Sequence, residues 1–179
     1  MNNDISLLDL FSGWEGYNTS LILALRQTPP ELLGQRGSEK SRTIGELYLH
    51  IAMGRIDWFS RMGAPGAQTL MQEVEGEINP DTKGDASQDH QLLENWLRRS
   101  WDLVESCLQG WNVSDLSETY LQSYLGKTYV VPRQWVIFRI LAHDIHHGGQ
   151  ISVLLYQQGI EPPELGANGG HITPLSTVD

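Results

Sequence analysis

The stretch from Trp135 to Leu155 constrains this chain more than any other, because polar side chains occupy an otherwise apolar helical stripe. Val136, Ile140, His143, His147, Gln150 and Leu154 follow one another at steps of four, three, four, three and four. That is the spacing of one face of an amphipathic helix, the face that turns toward a core. Two imidazoles and a carboxamide stand there in place of Leu or Ile. Burying a polar group without a partner costs about 1–3 kcal/mol, so three of them need compensation. An ion held by His143 and His147, one helical turn apart, would supply it. Backbone carbonyls satisfying ordinary histidines are the alternative. His146 is also three residues from His143, but it points about 100° away from His147. The stripe favours His147.

Bulk properties set the frame. A chain of 179 residues suits a single domain, here residues 1–179, and can bury on the order of 70% of its unfolded surface. The formal net charge is −10 and the sequence has no Lys/Arg cluster. This argues against nucleic acid and anionic membrane as partners, since both need a basic footprint. The single cysteine, Cys107, excludes an internal disulfide and a Cys-rich zinc site; its place on a core stripe marks it as a buried apolar residue. The N-terminus has no basic signal-peptide region, and no apolar run approaches the ~20 residues of a membrane span. A soluble, cytoplasmic protein is expected.

Helical periodicity predicts four long helices, hence an all-α four-helix bundle. The first runs from about Ile5 to Gln27, with Leu7, Leu10, Phe11, Trp14, Tyr17, Leu21 and Leu25 at three-to-four spacing, and stops at Pro29-Pro30. Thr43-Ile44-Gly45-Glu46 is a capping box opening a second helix to about Met62, with Ile44, Leu47, Ile51, Gly54 and Trp58 inward. Gly63 to Ala86 reads as a long polar loop with a short helical piece around Leu70 to Val74. Ser87 is the expected cap of a third helix, Gln88 to Gly110. A small hairpin is expected across Thr119 to Val131. Pro132 suits the first turn of the fourth helix, which ends near Gln158-Gly159. The tail from Glu161 to Asp179 reads as irregular.

A catalytic metal site typically takes three protein ligands and keeps one position open, so a third ligand must come from another helix. His50 is the best candidate, on or beside the inward stripe of the second helix. His90, in the first turn of the third helix, reads as solvated. His171, on the tail, would have to fold over the site. Glu46 reads as the capping-box partner, and Asp57 as an acceptor for an imidazole N–H or a surface charge.

The sequence Thr43-Ile44-Gly45-Glu46-Leu47-Tyr48-Leu49-His50-Ile51, followed by His143-x-x-x-His147-Gly148-Gly149-Gln150, resembles the DinB/YfiT-like superfamily of metalloenzymes. The likeness runs from the first helix to the end of the fourth. It implies a divalent metal, such as zinc or nickel, bound by one His of the second helix and two of the last: His50, His143 and His147. Where the family often has His-Arg-Gly-Gln, this chain has His147-Gly148-Gly149-Gln150, and the two glycines suggest close approach by another helix. The resemblance also implies use of a low-molecular-weight thiol, such as bacillithiol or mycothiol, in transferase or isomerase chemistry on a small-molecule substrate. Arg133, near the start of the fourth helix, is a candidate for binding a carboxylate of such a cofactor, with a surface charge as the plainer reading.

Two other readings remain open. His143-Asp144-x-x-His147 is similar to the His-Glu-x-x-His of zinc proteases, which would make the protein a hydrolase with Asp144 as base. Asp144 is one methylene shorter than Glu, and the stripe directs it away from the core. Alternatively, the protein is a non-enzymatic metal-binding stress protein, dimeric through exposed apolar residues such as Trp101 or Phe138. Gln150 would hold a ligand imidazole in its tautomer or bond to backbone.

Overall fold

A computed structural model of the chain describes residues 6–78 and 82–162. Its frame is four long helices, α2 (Ser12–Gln27), α3 (Ile44–Arg61), α6 (His90–Gly110) and α7 (Arg133–Gln157). Shorter helices α1 (Leu7–Leu10), α4 (Ala67–Glu77) and α5 (Lys83–Ala86) complete it, with an antiparallel hairpin of β1 (Thr119–Tyr124) and β2 (Lys127–Pro132). Helix α3 packs along both α6 and α7, and α2 packs on α6 and more lightly on α7. The four form a bundle in which α2 lies diagonally across the core from α3. Trp14, Tyr17 and Leu21 of α2 meet Tyr48, Ile51 and Phe59 of α3, Trp96 and Val104 of α6, and Ile140 and Ile151 of α7 in one buried cluster.

Local chemistry explains most element ends. Thr43 accepts a hydrogen bond from the Glu46 amide, and the Glu46 carboxylate accepts one from the Thr43 amide, so the capping box starts α3 as the sequence implies. The hairpin turns at Leu125-Gly126, both with positive φ (48° and 71°), the backbone that a two-residue turn between twisted strands requires. Pro132 is the cap residue of α7 rather than part of its first turn.

Four expectations change. The first helix breaks at Phe11, whose φ of −108° and ψ of 22° end a short turn that Ser6 opens by accepting from the Asp9 amide. Asp89, not Ser87, caps α6, accepting from the amides of Gln91 and Leu92 at 2.9 and 3.0 Å. The stretch from Gly63 to Ala86 is more helical than expected, because Ala67, Leu70, Met71 and Val74 line one face of α4 and cover α3. Trp101 is only 6% exposed, its ring edge-on to Trp14 at 5.8 Å. Phe138, at 70% exposure, is thus the one apolar residue of that pair left on the surface.

The largest correction concerns Asp144, which is fully buried instead of facing away from the core. Because α7 is covered on both flanks, a second inward stripe through Ile137, Asp144, Gly148, Ile151 and Leu155 is buried beside the histidine stripe. Asp144 Oδ2 accepts from Arg55 Nε of α3 and from the Trp14 indole N–H of α2, both at 2.8 Å. Arg55, also fully buried, donates through Nη1 to Asn18 Oδ1 at 2.8 Å and more distantly to Leu97 O and Ser100 Oγ of α6. One ion pair therefore joins all four long helices.

Gly148 allows α7 to approach α2: a Cβ there would lie 1.9 Å from the Tyr17 hydroxyl, which donates to the Ile145 carbonyl. The expected close approach holds for Gly148 and not for Gly149, where a Cβ would meet nothing within 4 Å. Gly148→Ala should therefore destabilise the fold by about 1–3 kcal/mol through overpacking, whereas Gly149→Ala should not. Asp144→Asn or Arg55→Met, each leaving a buried partner uncompensated, should cost about 3–5 kcal/mol. The Arg55→Met/Asp144→Leu double variant should cost less than the sum of the single losses. Chemical denaturation of the five proteins checks both expectations.

Candidate metal centre

Three imidazoles converge where α3 and α7 pass. His50 comes from α3, one turn beyond the capping box; His143 and His147 come from α7, one turn apart. The His50–His143, His50–His147 and His143–His147 ring centroids are 4.8, 4.7 and 4.4 Å apart. One potential ligand atom from each ring lies within 4.8 Å of the others. The Nε2 atoms of His50 and His143 are 3.2 Å apart. Two nitrogens on one tetrahedral zinc, each at about 2.0–2.1 Å, would be separated by about 3.3 Å. The same contact serves as an N–H···N hydrogen bond between neutral rings when no ion is bound.

Neighbouring groups hold the rings in this pose. His147 Nδ1 is bonded to Gln150 Oε1 at 2.7 Å, which leaves Nε2 to face the cluster. His143 Nδ1 and Asp144 Oδ1 are both buried without a hydrogen-bond partner and lie 3.7 Å apart. A proton on that Nδ1 leaves the Nε2 lone pair bare toward His50, the tautomer that a metal ligand needs. Gly54 of α3 makes room: a Cβ there would sit 2.7 Å from His143 Cε1. The donor set fits a divalent ion: three imidazole nitrogens, one ring bonded to Gln150 and one beside the unpartnered Asp144 Oδ1.

Neutrality follows from burial. Desolvation, aided by the Arg42 charge and the other two rings, pushes the His50 pKa down to about 3. Desolvation likewise lowers His147 to about 4, against the opposing effect of the Gln150 hydrogen bond. Both rings are neutral near pH 7, each with one bare nitrogen, as metal ligation demands. The cluster is not sealed. A cleft of about 900 Å³ runs beside it, with His50, Glu46, Met53, His146 and Gln150 among its walls.

The other sequence candidates are not among the three grouped rings. His146 is exposed on the cleft wall, its ring 4.9 Å from that of His147. His90 is half-buried at the start of α6, and His171 lies outside the described residues. Asp57 pairs with Arg61 on the surface. Arg133 begins α7, ten residues or about 15 Å of helical rise from His143. Its guanidinium is engaged there by the Glu118 carboxylate, the Asp115 carbonyl and the Trp111 ring face. Cys107 is buried, and burial raises its thiol pKa to about 11, as suits a core residue. Arg55 and Asp144 went unrecognised as supports of the site. The signal was present, since Arg55 stands four residues after Ile51 on the inward face of α3, where a lone charge demands a partner.

Comparison with known proteins agrees with this architecture. No curated protein matches the chain. A crystal structure of a DinB-like protein from Bacillus cereus superposes with a TM-score of 0.67 at 20% identity, covering 88% of this chain and 96% of that one; at that identity the likeness concerns the fold. The model of the DinB family matches residues 1–170, and the chain belongs to the DinB family.

Proposed function

We propose that His50, His143 and His147 bind one divalent metal ion, zinc or nickel, and that the protein uses it to present a small thiol to an electrophilic substrate, as a thiol-dependent S-transferase or isomerase. The observation that carries this reading is the convergence of three imidazoles beside an open cleft. The thiol rests on the family resemblance alone. An ion so held would lower the pKa of a bound thiol or polarise a carbonyl. The chain's own residues do the rest. Gln150 orients the His147 imidazole, Gly54 leaves space for that of His143, and Leu47, Met53 and Val153 give the cleft an apolar wall.

Hydrolysis with Asp144 as general base has lost its support. The carboxylate is fully buried and bonded to Arg55 and Trp14, so it is not placed to meet a substrate water. A purely structural ion would be expected in a closed site. The cleft beside His50 favours an enzyme.

Elemental analysis of protein purified without a histidine tag should find about one zinc or nickel per chain, and His50→Ala and His147→Ala should each lose it. Gly54→Ala, which displaces the His143 ring, should fold yet bind zinc about 10–100-fold more weakly, as when supports of a ligand are disturbed; chelator competition measures this. Metal-dependent conjugation of an electrophilic model substrate should appear with at least one of several small thiols, and its absence with all of them would remove the thiol reading.

The pH dependence has a definite sign. The folded pKa values of His50 and His147, about 3 and about 4, lie below the unfolded value of about 6.5. Below that value the unfolded chain takes up more protons, so their contribution is complete above about pH 6.5 and is lost as pH falls toward the folded pKa values. Denaturation midpoints of the metal-free protein should fall between pH 6.5 and 4, with a shallower slope in His147→Gln.

A further inference from the structure

The chain is strongly acidic and has only 12 Lys and Arg. Six of the arginines, Arg26, Arg55, Arg61, Arg98, Arg99 and Arg133, are paired with carboxylates. Four other cations, Arg36, Lys40, Arg42 and Lys83, all line the cleft beside the histidine cluster. None of the four makes an ion pair among the described residues. Along the sequence they form no run: three come from the connector between α2 and α3, and Lys83 opens α5. Folding creates the basic cluster that the sequence lacks.

The opposing charges are few. The carboxylates on the cleft wall are Glu39 and Glu46, and the Glu46 carboxylate is bonded to the Thr43 amide in the capping box. The cleft therefore keeps unpaired positive charge in a molecule of net charge −10. Four like charges that could have been dispersed or paired repel one another, and an anion among them relieves that repulsion. Arg42 and Lys83 are also near enough to act electrostatically on His50, so the cationic end and the imidazole end belong to one space. Its volume, about 900 Å³, falls within the range of about 300–1,000 Å³ usual for small-molecule sites. A nucleic acid needs a basic track over an extended surface, which four cations around a single cleft do not provide.

We infer that this cleft binds a small molecule carrying at least two negative charges, carboxylate or phosphate, held by Arg36, Lys40, Arg42 and Lys83 with its other end directed at the histidine cluster. Only that last clause rests on the proposed metal site. As a thiol co-substrate the molecule would carry its carboxylates at the end remote from sulfur. As an electrophilic substrate it would be a dianionic acid or a phosphate ester.

The test uses the full-length protein, metal-free and zinc-loaded, titrated with succinate and with inorganic phosphate while amide NMR shifts are followed. Uncharged succinamide is the control. Saturable shifts should appear at residues 36–42, around Lys83 and along 149–157 with at least one dianion, and not with succinamide. Arg42→Gln/Lys83→Gln alters two exposed side chains that make no ion pair, so the fold should persist. The double variant should weaken dianion binding about tenfold, in line with two partly exposed charge contacts, and added salt should weaken it in the parent. His50→Ala should still bind the dianion, which separates failure of this inference from failure of the metal reading. Equal binding of succinamide, dianion shifts mapping elsewhere, or an unaltered affinity in the double variant would overturn the inference. So would saturation by a short single-stranded oligonucleotide at far lower concentration than either dianion, since the occupant would then be a polymer.

Discussion

The buried ion pair between Arg55 and Asp144 is the interaction on which the remaining geometry depends. Its partners are Trp14 and Asn18 of α2 and Leu97 and Ser100 of α6, so one charged contact sets the rotation of each long helix about its own axis. A buried pair of this kind is often no more stabilising than apolar residues of similar volume. What it adds here is direction. Asp144 precedes His147 by three residues and adjoins His143, while Arg55 follows His50 by five. Once the guanidinium and carboxylate meet, the imidazoles of α3 and α7 face each other.

The site has two parts with opposite electrostatic characters. At the inner end, desolvation keeps imidazoles neutral and so available as nitrogen donors. At the outer end, the connector before α3 and the start of α5 supply cations that make no ion pair among the described residues. A small anion would be held at one end by charge and presented at the other to a Lewis acid. That arrangement accounts for a cationic cleft in a strongly acidic protein. Among the described residues, no helix is long and apolar enough to cross a membrane.

Much of this was legible in the sequence, and the exceptions have physical causes. The periodicity of α7, the Thr43–Glu46 capping box and the turn at Leu125-Gly126 are local signals, and local signals fix local structure. His50 could be matched to His143 and His147 because a ligand must share an inward stripe. Asp144 was misplaced because a single-stripe reading assumes one buried face, whereas α7 is covered on two sides. Trp101 was misread for the same reason on α6. Ser87 reads as the cap from residue type alone, but α5 runs to Ala86 and Asp89 is the residue that accepts from the first free amides of α6. The cationic cleft was invisible because Lys83 lies far along the chain from Arg36, Lys40 and Arg42.

The central claim is that His143 and His147 stand as Nδ1–H tautomers, the latter bonded to Gln150, so that their Nε2 atoms converge with that of His50. Nitrogen-15 NMR of the histidine side chains near neutral pH, before and after one equivalent of zinc, tests it most directly. Protonated Nδ1 and unprotonated Nε2 signals are expected for His143 and His147 in the metal-free protein, with zinc shifting the Nε2 resonances of all three rings together. Nε2–H tautomers for the two α7 histidines, or zinc-induced shifts that omit His50 or fall on other histidines, would contradict the account.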